Sequence, residues 1–146
     1  SSWLFVLNIV WVLLNSLMQK KIIDKKILNL ALDTSNYGLK NKSNYLASLK
    51  SKKCGDRIKV ELKIKNKIIE RMYYETESCI FCQASANLLS KKVKNLMINN
   101  LNKIFFSKKF KFLLSKKYIS RKECVMLPFQ ALKKALQNHK SKTIPS

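Results

Sequence analysis

Four cysteines and one aspartate carry the chemistry open to this chain. Cys79 and Cys82 stand three residues apart in "ESCIFCQAS", Cys54 opens "CGDRI" two residues before Asp56, and Cys124 ends "RKEC". A thiolate binds soft metals, accepts sulfur or joins a disulfide, and its neighbours decide which. A structural zinc knuckle calls for two close pairs, whereas this chain has one pair and two singletons. A redox dithiol calls for the pair after a strand of a βαβ unit and has little use for Cys54 or Cys124. The third arrangement takes Cys54, Asp56, Cys79 and Cys124 as separated ligands and leaves Cys82 over. Its thiolates hold iron or zinc, while its carboxylate is the weaker and more exchangeable donor. That mixture suits a metal cluster that has to leave again.

Distant residues meet only if the fold gathers them. "RIKVELKIK" alternates Ile58, Val60, Leu62 and Ile64 with Lys59, Glu61, Lys63 and Lys65, a strand with one buried face. Asn66 and Lys67 can turn it, and "IIERMYYE" returns as the partner of a hairpin. The stretch "SCIFCQASANLLSKKVKNLM" then changes period, so Leu88, Leu89, Val93 and Leu96 read as one face of a helix whose first turn holds both thiols. At that helix start the uncompensated N–H groups favour a thiolate at Cys79. Cys54 and Asp56, if extended, point to one side of the strand edge, with Gly55 leaving room for a metal. The hairpin brings that edge to the helix start, and Cys124, ahead of the last helix, closes the site from a third direction.

The remaining elements are coarser. "KIIDKKILNLAL" places Ile23, Ile27, Leu30 and Ala31 at helical spacing, and "DTSNYG" ends it. A basic, polar stretch separates it from the strand. Residues 99 to 120 read as helical without clear limits, and "LPFQALKKALQNH" reads as a terminal helix with Pro128 near its start. The predicted fold is α+β, a small antiparallel sheet of about three strands packed against helices. Its expected parts are an apolar extension over 1–17, a domain over 18–138 and a tail over 139–146. The extension is too short to span a bilayer and lacks a basic leader, so membrane anchoring is not expected.

The 146 residues carry a formal charge of +22, which would draw the chain towards nucleic acid. Yet 27 of the 30 basic residues are lysine and only Arg57, Arg71 and Arg121 are arginine, on every segment rather than one stripe. A base-reading surface favours the arginine fork, so no specific nucleic-acid partner is expected.

"CGDRIKVELKIKN", "ESCIFCQASANLL" and "RKECVMLPFQAL", with the upstream "NYG", resemble the iron–sulfur cluster assembly scaffold family, the NifU N-terminal (IscU/SufU-like) domain, over roughly residues 22 to 138. The resemblance implies a scaffold rather than an enzyme, building a [2Fe–2S] or related cluster with sulfur from a cysteine desulfurase and passing it to acceptor proteins. It implies Cys54, Asp56, Cys79 and Cys124 as ligands, with Cys124 a candidate persulfide acceptor, in the reducing cytoplasm or an organelle matrix. Cys82 sits where many members carry Ser and reads as a small buried residue before an extra ligand. Arg121, three before Cys124, matches a branch associated with zinc and sulfur transfer, so a zinc-dependent sulfurtransferase is the alternative. Glu123 stands where another branch has His, and the single His139 reads as a surface residue. Thr76 and Ser78 replace glycines that members often carry before the second cysteine.

Overall fold

The alternation in Arg57–Lys65 becomes the second strand of the sheet, β2, with Ile58, Val60 and Leu62 wholly buried and Lys59, Lys63 and Lys65 exposed. Burying each such side chain contributes about 1.5–3 kcal/mol. A computed structural model describes residues 3, 4, 6–11, 13, 14, 25–53 and 55–143, with side chains as far as 138. Asn66 (φ 53°) and Lys67 (φ 63°) make the two-residue turn into β3 (Ile68–Glu77), and positive φ at both positions matches the right-handed twist of the hairpin. A register shift at Lys63/Ile64 lets Ile69 and Met72, three residues apart, both face the core.

The sheet has four antiparallel strands in the order β1-β2-β3-β4, one more than expected. The addition at one edge is β1 (Tyr45–Lys50), inside the stretch read as merely basic and polar; only Ala47 in it is buried. At the other edge Leu96–Met97 forms β4 against Ile68 and Ile69. Helix α2 (Ile80–Lys92) therefore stops earlier than its sequence suggested, and Leu96 belongs to the sheet. Beyond β4, the edge of β3 is covered by the "NYG" segment. Gly38 N–H donates to the Tyr74 carbonyl at 2.8 Å, and Tyr74 N–H to the Asn36 carbonyl at 3.3 Å.

Helix α1 (Lys25–Leu32) buries Ile27 and Ala31 against α2; the position of Ile23 lies outside the described residues. α2 is buried on almost every side, from Cys82 to Ser90, and its Ala84, Ser85 and Ala86 let neighbouring backbones approach closely. Residues 98–121 form two 3-10 segments, Ile98–Phe106 and Lys116–Arg121, flanking a short α3 (Lys108–Leu113). The last helix, α4 (Lys122–Thr143), packs on β1, β2 and α2. It begins six residues before Pro128, so the proline is internal rather than initial, and it continues to Thr143 where a tail was expected. Pro128 has no N–H to offer the Cys124 carbonyl four residues back; one residue on, the Ser85 hydroxyl donates to the Val125 carbonyl. Residues 3, 4, 6–11, 13 and 14 are helical and exposed, and among the described residues no helix is long and apolar enough to cross a membrane.

Candidate metal centre

Three elements end at one point. The turn between β1 and β2 closes with Ser51 N–H donating to the Asp56 carbonyl at 2.7 Å and Gly55 N–H to the Ser51 carbonyl at 3.1 Å. Gly55 holds φ +71°, a left-handed conformation that glycine adopts without strain. The turn delivers Asp56, only 6% exposed, to the start of α2. There Cys79 is the N-cap, with extended φ and ψ, and its backbone N–H donates to Asp56 Oδ1 at 3.2 Å. From the other side comes Cys124, 4% exposed. It lies in the first turn of α4 rather than ahead of that helix, because the helix starts at Lys122.

The Asp56 carboxylate and the Cys79 and Cys124 sulfurs offer ligand atoms all within 4.8 Å of one another. Metal–sulfur and metal–oxygen bonds run to about 2.0–2.3 Å, so this is near the span that one ion or a small cluster bridges. Asp56 Oδ2 is buried and has no hydrogen-bond partner among the described residues. A buried polar atom left unpaired costs about 1–3 kcal/mol, more when charged. A cation held between that oxygen and two thiolates would remove the cost, so the donor set fits a metal.

The fourth sequence ligand, Cys54, lies outside the described residues. Its neighbour Lys53 is ion-paired to Glu123 at 3.0 Å, tying the β1–β2 turn to the residue before Cys124. Sequence reading saw Glu123 only as a replacement; two opposite charges 70 residues apart share no periodicity that would link them. Cys82 faces elsewhere: it is fully buried, with its sulfur 3.9 Å from Thr76 Oγ1. Burial pushes its thiol up to about 11, against lowering hydrogen bonds from Ser78 and Thr76, so it stays protonated at neutral pH. Thr76 and Ser78, which replace glycines, thus make a polar lining beside it, their hydroxyls 2.8 Å apart. Arg121 is exposed, its guanidinium 5.8 Å from the centre of the Phe81 ring in the first turn of α2. The side chain of His139 lies outside the described residues.

The sequence model of one family, the NifU-like N terminal domain, matches residues 22–145. The chain belongs to that family. No curated protein sequence matches it. Among solved structures the family member is similar to a NifU-like protein (N-terminal) from Brucella abortus, at 21% identity and a TM-score of 0.71, over 86% of this chain and 99% of that one. It is also similar to a putative iron–sulfur cluster assembly scaffold protein for the SUF system from Fervidobacterium islandicum, at 18% identity and a TM-score of 0.67, over 76% of this chain and 93% of the other. At these identities the likeness concerns the fold, and the α+β arrangement of sheet and helices is shared with both.

Proposed function

We propose that this NifU-like domain is a scaffold, not an enzyme, on which an iron–sulfur cluster is assembled from iron and desulfurase-derived sulfur and then passed to acceptor proteins. The observation that carries the reading is the meeting of Asp56, Cys79 and Cys124 around a buried carboxylate oxygen that no described residue satisfies. Family membership and the solved relative named as a scaffold support it. Cys54, adjoining the same turn, is the fourth ligand; Cys82, protonated and buried, is not a ligand.

The division of labour follows from donor type. Thiolates bind iron firmly, whereas the Asp56 oxygen is the exchangeable ligand through which the cluster, here cargo and probably [2Fe–2S] by family, departs. Sulfur arrives when a scaffold thiolate, Cys124 in this proposal, attacks the outer sulfur of a desulfurase persulfide. One S–S bond forms as the donor's breaks, and the donor leaves as a thiolate. Reducing that sulfur to sulfide takes two electrons from a separate reductant. Because Cys124 is only 4% exposed, delivery requires the β1–β2 turn to open. A reducing compartment, the cytoplasm or an organelle matrix, keeps these thiols available.

Anaerobic reconstitution with iron, a cysteine desulfurase and cysteine tests the proposal. The expected result is visible absorption with about two irons per chain or per dimer, lost in Cys124→Ala. Tight zinc binding with no colour would replace this reading with that of a zinc-dependent sulfurtransferase.

A further inference from the structure

A second cavity, of about 500 Å³, opens between α1, α2 and α3, away from the cysteines. Three features of its wall are chemically uncommon together. Asn87 lines it and is completely buried, yet neither its amide nitrogen nor its amide oxygen has a hydrogen-bond partner among the described residues. Leaving a donor and an acceptor of one amide unpaired costs about 1–3 kcal/mol for each group, so the position favours a ligand that accepts and donates side by side. Phe112 and Leu30 supply apolar wall, and the Lys26 ammonium sits 5.3 Å from the Phe112 ring centre. Lys108, Lys109 and Lys91 complete the rim.

Charge makes the cavity selective. Its one acidic residue, Asp33, is taken up by Lys91 and by the Ser35 backbone N–H and hydroxyl. Lys26, Lys108 and Lys109 have no carboxylate within ion-pair distance among the described residues. Three uncompensated ammonium groups beside an apolar ring and a bare amide call for a ligand that is anionic at one end and planar with a polar edge at the other. The volume is within the usual range of about 300–1,000 Å³ for small-molecule sites.

We propose that this cavity binds a nucleoside polyphosphate, its base edge on Asn87, its ring against Phe112 and its phosphates among Lys26, Lys108 and Lys109. The site is independent of the cluster chemistry: it uses none of the cysteines, and its failure would leave the scaffold reading untouched.

Isothermal titration of the full chain with ATP, adenosine and inorganic triphosphate, at fixed and then raised salt, provides the test. ATP is expected to bind once per chain and more tightly than either fragment. Lys108→Ala with Lys109→Ala should weaken ATP about tenfold or more, and Phe112→Leu about fivefold. Asn87→Leu, with folding checked by thermal unfolding, should bring ATP down to the affinity of triphosphate. Lys63→Ala with Lys65→Ala, on the exposed face of β2, controls for general attraction of polyanions to a chain of charge +22. Triphosphate binding as tightly as ATP would remove the base from the proposal. Equal weakening by the β2 pair, or no ATP binding in the unmodified chain, would overturn it altogether.

Discussion

Asp56 and Glu61 are five residues apart, both buried, and chemically opposite. Glu61 lies on β2 against the loop between α1 and β1, where its two carboxylate oxygens accept the backbone N–H groups of Lys40, Asn41, Lys42 and Ser43 at 2.5–3.1 Å. Asp56 lies at the end of the same strand and accepts one N–H, from Cys79, while its second oxygen has no partner among the described residues. A saturated carboxylate is part of the architecture: it holds a loop that has no regular structure of its own. A half-saturated one beside two sulfurs is kept at a cost, and the cost is recovered when a cation arrives.

The comparison is broken most directly at the sulfurs. Cys79→Ala and Cys124→Ala should each abolish cluster retention in the reconstitution, measured as iron and sulfide remaining after desalting. Asp56→Ala keeps the thiolates, so it should retain iron but pass the cluster to an acceptor protein several-fold more slowly. Equal loss of iron in all three variants would show that the carboxylate is a ligand like the others, not the exit.

Glu61→Gln attacks the other carboxylate. Its effect should fall on stability, lowering it by about 2 kcal/mol through loss of charge-assisted bonds, with metal content per folded chain unchanged. Burial alone would raise the Glu61 carboxyl above its ordinary 4.5; the four backbone N–H bonds, to Lys40, Lys42, Ser43 and Asn41, outweigh it and leave the carboxyl lowered. A lowered folded value means the carboxylate contributes stability above 4.5 that disappears as the pH falls through the folded value. Thermal unfolding followed from pH 6 downward should therefore lose this contribution in the unmodified chain and show a shallower decline in Glu61→Gln.

How far the sequence showed the two regions follows from the kinds of signal involved. Alternation in β2 and the Asn66–Lys67 turn are local, so strand and hairpin were legible, and with them the delivery of the "CGD" turn towards Cys79. Glu61 was assigned to the solvent face because alternation describes one sheet face only; the loop that covers the other face is held by backbone N–H groups, which every sequence has. β1 escaped notice because its single buried side chain, Ala47, leaves almost no hydrophobic pattern. The start of α4 was misplaced because Pro128 was read as an initial proline, although the helix accommodates it internally. The rare residue types Cys and Asp announced the metal centre, whereas the lysine-rimmed cavity was hidden by a composition in which lysine is everywhere.

Cys82 sharpens the comparison from within the site. Its fully buried thiol, close to the hydroxyl of Thr76, is expected to contribute packing and nothing to iron binding. Cys82→Ala should cost about 1 kcal/mol for the small cavity it leaves, with unchanged iron stoichiometry. An iron count that fell with Cys82 would make it a ligand.

The smallest effect belongs to the Lys53–Glu123 pair. Both side chains are largely exposed, so their attraction is screened by water and salt and should add under about 1 kcal/mol to stability. Its consequence lies in position instead: it ties the turn that carries Asp56 to the first turn of α4, over the route to Cys124. If that turn must open for sulfur to reach Cys124, Glu123→Gln should speed persulfide transfer from the desulfurase, followed by mass analysis of the trapped chain, while leaving thermal stability nearly unchanged. Raised salt should accelerate the unmodified chain towards the variant and leave the variant itself unaffected. A rate that ignored both changes would mean that the turn is held by its backbone hydrogen bonds alone, and that access to Cys124 is controlled elsewhere.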